Sequence, residues 1–189
     1  MVCYGFKGGI GTASRRTQGA PAPYTVGVLV QANFGRRPQL VIAGAPVGQE
    51  LPAEPSRAEL DSTTGERGSV IIVIATDAPL LPHQLKRLAR RATMGIARTG
   101  STSGNGSGDI FIAFSTANPD AFRARGLAKV EMVSNEEISP LFDATVYATE
   151  EAVINALVAA DTMIGANDHK VEGLPHDRLR EILKKYNRL

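Results

Sequence analysis

The sequence predicts a layered protein of the α/β or α+β class. A β-rich run with alternating valines comes early, and a continuous β-branched apolar run sits in the middle. Helix-patterned stretches follow, in the order strands, helix, strand, helix, helix, which departs from a strict βαβ repeat. No internal repeat is visible, and 189 residues suit a single domain over 1–189.

The first residues, MVCYGFKGGIGTASRR, carry glycines at 5, 8, 9 and 11 around Phe6 and Ile10 and read as the middle of a protein. They lack the charged and apolar regions of a signal peptide. Tyr24 to Phe34 alternates Val26, Val28 and Val30 on one face, as a strand does. Gly35-Arg36-Arg37-Pro38 reads as a turn, and Gln39–Gly44 as the partner strand of a hairpin. Residues 45–68, rich in proline, glycine and charge, are expected to be a long loop. Ser69–Thr76 is a continuous apolar run, as in a strand buried on both faces. Asp77-Ala78-Pro79 then reads as a helix opening, with Leu85, Leu88, Ala92 and Ile96 at helical spacing as far as Arg98. Lys86, Arg87, Arg90 and Arg91 lie off that stripe and suit a solvated face or an anion site. After a Gly/Ser stretch from Gly100 to Gly108, Asp109–Ala117 is the next strand. Residues 118–138 are irregular, with a short strand expected at Ala128–Val133. A helix from Ser139 to Ala160, a polar turn at Gly165–Gly173 and a last helix from Pro175 to Tyr186 complete the chain.

Hydrophobic residues at 43% and charged residues at 21% are ordinary globular composition. The net charge of +2 gives no argument for nucleic acid. The single cysteine, Cys3, excludes a disulfide framework within the chain and a cysteine zinc cluster. His83, His169 and His176 are scattered and make no metal-binding pattern, so neither metal nor cofactor is expected. No apolar run reaches membrane-span length, and the expected setting is reducing and cytoplasmic.

Ser107 stands between Gly106 and Gly108 at the mouth of a strand. Two readings are open. Asn105-Gly106 is a strong hairpin-turn signal, and Gly and Ser are ordinary loop residues. The other reading is a nucleophile. Flanking glycines free the backbone and leave the Gly106 carbonyl unshielded. A serine hydroxyl can attack the carbonyl just before it in an N-to-O acyl shift. Hydrolysis then frees an α-amine with a reference pKa of about 7.7–8.0, able to act as general base. Nucleophile and base then share one residue.

The segments FKGGIGTASRR, YTVGVLVQANFGRRPQLVIAGAPVG, GSVIIVIATDAPLLPHQLKRLARRATMGIARTGSTSGNGSGDIFIAFSTAN and ATEEAVINALVAADTMIGANDHKVEGLPHDRLREIL resemble the L-aminopeptidase/D-esterase family. This family is also called D-aminopeptidase A-like or P1, and it includes β-peptidyl aminopeptidases. The resemblance covers nearly the whole chain. It implies a four-layer αββα sandwich like that of N-terminal nucleophile hydrolases, and a precursor that cuts itself before a serine or threonine. By motif, Gly106–Ser107 is the implied scissile bond, residues 1–106 the end of the larger subunit, and 107–189 the smaller one. The family's second hydroxyl, followed two positions later by glutamate, matches Thr149 and Glu151 best. On a regular helix those two residues point about 200° apart, so either the backbone is irregular there or Glu150 or another pair serves. The implied oxyanion donors are the Tyr4 hydroxyl and the Asn33 amide. The implied partners are short peptides and amino-acid amides or esters; separately, the apolar strands Ser69–Thr76 and Asp109–Ala117 need cover on both faces, so a homo-oligomer is expected.

Family precursors are about twice this length, so a non-catalytic remnant is the first alternative. A third reading makes GFKGGIGT a phosphate loop, but its residues are not in the GxxxxGK[ST] order.

Overall fold

The computed structural model describes residues 1–19, 23–52 and 68–189. The chain opens with a tight hairpin, β1 (Val2–Cys3) against β2 (Phe6–Lys7). Its two turn residues, Tyr4 and Gly5, both have positive φ, at 50° and 71°, which is the backbone a two-residue type I′ loop demands. The main sheet follows: β3 (Ile10–Arg16), β4 (Thr25–Gln31), β5 (Ile71–Thr76) and β6 (Ile110–Ser115), in that spatial order. The first two pairings are antiparallel and β5 runs parallel to β6. The β5-to-β6 crossover passes through α2 (Pro82–Ala89) and α3 (Ala92–Arg98), as a parallel pair requires. A one-turn helix, α1 (Val47–Glu50), lies between β4 and β5. The long helix α4 (Ser139–Val158), a small hairpin of β7 (Met163–Ile164) and β8 (Lys170–Val171), and α5 (His176–Lys185) end the chain.

Helices cover one face of the sheet. Val26, Val28, Val30, Ile72 and Ile74 point into that side and are buried. Helix α4 lies against β3 and β4, and α3 packs on α4. Small residues at four-residue spacing, Ala144, Ala148, Ala152 and Ala156, let α4 approach closely. Gly11 completes this fit. A Cβ there would stand 1.9 Å from the Ala152 carbonyl oxygen and 2.6 Å from the Ala156 nitrogen. Gly11→Val is expected to force strand and helix apart and to cost about 3 kcal/mol. The urea midpoint measures it against Gly27→Ala, where the added Cβ meets nothing nearer than 4.0 Å.

Among the described residues, nothing covers the other face of the sheet. The register lines up Thr12, Leu29, Val73 and Ile112 in one row, with Ile10, Gln31, Ile71 and Ile110 in the next. Ile10, Leu29, Ile110, Ile112 and Phe114 on this face are between 39% and 51% exposed. The chain therefore builds two of the four expected layers, one of helices and one of strands. Among the described residues, no helix is long and apolar enough to cross a membrane.

Several sequence expectations need correction. Gln39–Gly44 is no strand. Arg37–Gln39 forms a single 3-10 turn containing Pro38, and Ile42 and Ala45 close a tight turn on each other. Leu40 and Ile42 are buried as core residues rather than as a sheet face, and the partners of β4 are β3, just before it in the chain, and the more distant β5. Asp77 caps no helix; its Oδ1 accepts the Thr25 N–H at 2.7 Å. The helix starts instead with Pro82 at its first position, where a missing N–H costs nothing. The stretch to Arg98 is two helices, broken at Arg90 and Arg91.

The expected strand at Ala128–Val133 is irregular and lies in a loop clasped by Asn118, whose side chain bonds the Glu131 N–H and C=O at 2.9 and 3.1 Å. The polar turn at Gly165–Gly173 contributes β8 and part of its hairpin. Strand β5 is buried on one face and only half-buried on the other. Of the expected loop at 45–68, residues 53–67 lie outside the described residues, and α1 falls within the rest.

Candidate active site

The antiparallel and parallel registers bring four chain segments to one end of the sheet. Strand β4 ends there, while β3, β5 and β6 begin there. Ser107 lies on this rim in the short turn before β6, its N–H bonded to the Gly104 carbonyl at 2.9 Å. Asn105 and Gly106 do sit in a turn, but it leads into a strand parallel to its neighbour, so no hairpin is formed.

A relay of hydrogen bonds fixes this turn to the sheet. The Asn33 carbonyl accepts the Ser69 N–H at 2.8 Å. The Ser69 hydroxyl accepts the Gly108 N–H at 3.0 Å. Asp109 Oδ1 accepts the Val70 N–H at 3.1 Å, and the Ser107 hydroxyl donates to the same Oδ1. The hydroxyl is thus half-buried and held by a carboxylate two residues on.

Through Ser69, the Asn33 backbone is linked by two hydrogen bonds to Gly108, the residue after Ser107. The Asn33 side-chain oxygen accepts the Val2 N–H at 2.9 Å, and its amide nitrogen has no hydrogen-bond partner among the described residues. Tyr4 is next to it. The Tyr4 N–H donates to the Phe34 carbonyl at 2.8 Å, and its buried ring packs edge-on against Phe34. Its hydroxyl lies 2.8 Å from the Thr99 hydroxyl. Thr99 spends its own hydrogen on the Ile96 carbonyl at 2.7 Å, so Tyr4 is the donor of that pair. Tyr4 holds a left-handed backbone that a bulky residue rarely adopts, and such strain concentrates at functional positions. Gly35 makes room for it, since a Cβ there would sit 2.4 Å from the Tyr4 ring.

The structure does not bring Thr149 and Glu151 into this group. Helix α4 is regular throughout, and the two side chains leave it in different directions. Thr149 is fully buried against Gly95 of α3, and its hydroxyl has no partner among the described residues. Glu151 pairs with Arg15 near the far end of β3. That strand is three places from β6 in the sheet, a separation of about 14 Å. Glu150 pairs with Arg98, whose guanidinium is held above its ordinary pKa chiefly by that hydrogen bond. Asp109 and Ser69 were not among the sequence candidates. Their signals were the S-G-D spacing and the serine opening the apolar run GSVIIVIAT.

A separate open cavity of about 650 Å³ lies between α1 and the start of α5, lined by Phe6, Arg37, Glu50, Asp161, His176 and Arg178 among others. Beside it Glu50 ties down the C-terminal helix. Its carboxylate accepts Lys185 Nζ and the Tyr186 hydroxyl, each at 2.8 Å, and these bonds hold it below its ordinary pKa. Among the described residues there is no cluster of histidine, cysteine and carboxylate groups suited to a metal ion.

A family model described as Peptidase family S58 matches residues 1–171. The chain is 52% identical over 199 residues to the beta-peptidyl aminopeptidase BapA of Sphingosinicella microcystinivorans, covering 100% of this chain and 50% of the relative. It is 47% identical over 193 residues to the BapA of Sphingosinicella xenopeptidilytica, covering 97% and 48%. The PH0078 protein from Pyrococcus horikoshii OT3 superposes with a TM-score of 0.89 at 48% identity, over 100% of this chain and 50% of that one. An L-aminopeptidase D-Ala-esterase/amidase from Ochrobactrum anthropi superposes at 0.88 with 49% identity, over 100% and 51%. That protein is described as a prototype for the serine aminopeptidases and a new variant among the Ntn hydrolase fold. The chain spans about half the length of the curated relatives it matches.

Proposed function

Because the chain belongs to peptidase family S58, we propose that it is a self-processing serine aminopeptidase with Ser107 as its N-terminal nucleophile. Its substrates on this reading are short peptides and amino-acid amides or esters, from which it releases the N-terminal residue. The observation that carries the reading is the Ser107 hydroxyl, engaged by a carboxylate in a glycine-flanked turn at the sheet rim. Cleavage of Gly106–Ser107 converts that residue into an amino-terminal serine. Its hydroxyl attacks the substrate carbonyl, its α-amine takes the proton, and water later hydrolyses the acyl-serine. On this reading the Asn33 amide is the side-chain donor for the developing oxyanion, while the Tyr4 hydroxyl, buried and donating to Thr99, serves that role only if it leaves that bond.

The amine must be unprotonated to act as base. Its reference pKa is about 7.7–8.0, so the protonated form dominates below that range and kcat/KM is expected to rise about tenfold per pH unit up to it. A pH–rate profile on an amino-acid p-nitroanilide that stays flat from about pH 5 to 9 removes the amine from the mechanism.

A second reading, a remnant without turnover, is favoured by one observation: the chain spans about half the length of its curated relatives. Intact mass separates the two, since a remnant stays at 20.0 kDa. A second copy of the chain is the partner that the uncovered sheet face calls for.

A further inference from the structure

The mechanism above leaves one question open: what takes the proton from Ser107 before any free α-amine exists. In the uncut chain the amino group of Ser107 is an amide nitrogen, donating to the Gly104 carbonyl. It has no lone pair available for base work. The Ser107 hydroxyl instead donates to Asp109 Oδ1. We propose that Asp109 is the general base of self-cleavage, a catalytic residue distinct from the α-amine that serves turnover. This rests on the reading of Gly106–Ser107 as the scissile bond.

The step balances without any outside reagent except water. The Ser107 hydroxyl proton passes to the Asp109 carboxylate as Oγ bonds to the Gly106 carbonyl carbon. Asp109 returns that proton to the Ser107 nitrogen as the carbon–nitrogen bond breaks, leaving an ester and a free amine. Water hydrolyses the ester, giving the Gly106 carboxylate and restoring the hydroxyl. Local structure suits Asp109 to this work. The Val70 N–H fixes its Oδ1 at 3.1 Å, and the Ser69 hydroxyl holds the intervening Gly108 N–H at 3.0 Å. A carboxylate held in this way loses little freedom when the hydroxyl reacts.

The bland role for Asp109 is to staple the start of β6 to β5. Asp109→Asn separates the two roles, because its side-chain oxygen still accepts from Val70 and Ser107 but cannot carry a proton. Self-cleavage of the full chain is followed by intact mass for wild type, Ser107→Ala, Asp109→Asn and the double variant Ser107→Cys/Asp109→Asn. The expected result is cleavage in wild type, none in Ser107→Ala, and slowing by about 10²–10⁴-fold in Asp109→Asn. Restored cleavage is expected in the double variant, because a thiol with a reference pKa of about 8.5 ionises without help. Asp109→Asn cutting at the wild-type rate overturns the proposal and leaves the scissile bond standing. A double variant as slow as Asp109→Asn also overturns it, since the loss is then structural. Wild type that never cuts removes the scissile bond and the base together.

Discussion

Replacing Ser107 by alanine is expected to leave the chain in one piece and without hydrolytic activity, the largest change any single substitution here should produce. On the proposed mechanism the hydroxyl is the attacking atom twice, once on the Gly106 carbonyl and once on the substrate, and alanine offers no replacement for it. Fold should survive. The side chain is half-buried and its hydroxyl bonds Asp109, which keeps the Val70 N–H as a partner. Intact mass spectrometry checks the first half: wild type divides into residues 1–106 and 107–189, while the alanine variant remains at 20.0 kDa. An amino-acid p-nitroanilide assay checks the second. An alanine variant that still divides at Gly106–Ser107 removes Ser107 from the chemistry.

The second large effect concerns association. Ile10, Leu29, Ile110, Ile112 and Phe114 share one sheet face and are 39–51% exposed. Contiguous apolar surface of this kind drives association. The two edges of the sheet also differ. Strand β3 carries Arg15 and Arg16, and the Asn155 side chain donates to its Thr12 carbonyl at 2.9 Å. Strand β6, IFIAFS, has no charge and no proline to blunt it. Ile110 and Thr116 donate their N–H groups to β5-side carbonyls, so the alternate main-chain groups of Phe111, Ala113 and Ser115 point away from the sheet. A homo-oligomer is therefore expected. Ile112→Lys, at the centre of the exposed row, is expected to shift it toward monomer and to lower the light-scattering mass at equal concentration. A wild-type chain that scatters as a monodisperse monomer at high concentration, and turns over substrate in that form, sinks this idea.

The parts of the fold that could be read from the sequence were those where local preference and tertiary demand agree. SVIIVIAT is β-branched and apolar, and it became β5 with only its first two residues trimmed. Ser139 to Val158 kept helical spacing because the whole stretch is covered by sheet on one side and α3 on another. Strand β3 was illegible. Gly11, Ser14, Arg15 and Arg16 show no apolar alternation, and the strand exists because β4 pairs with it and α4 closes over Gly11. Gln39–Gly44 failed in the opposite way. Its apolar content suited a strand, but Pro38 and the positive φ of Ala43 and Gly44 bend the chain so that Leu40 and Ile42 drop singly into the core.

At the site, Ser107 stood out through its own neighbours. Tyr4 and Asn33 came from motif resemblance, and only the antiparallel register explains why they adjoin. The Thr149 and Glu151 match reproduced a spacing, and a regular helix cannot turn two residues at that spacing to one side.

Strand β3 and helix α4 clasp each other across almost the entire chain; the Asn155 side chain reaches a carbonyl 143 positions earlier. During synthesis the strand emerges well before its cover. Until the helix has left the ribosome, the groove around Gly11 has nothing to close it, and β3 lacks half of what makes it a strand. Folding must then close one very long loop, with an entropic cost that rises with loop length, and chains dominated by such distant contacts fold in milliseconds to seconds rather than microseconds. A nascent chain arrested before residue 139 should therefore remain a client for chaperones, however well β3 to β6 have been made.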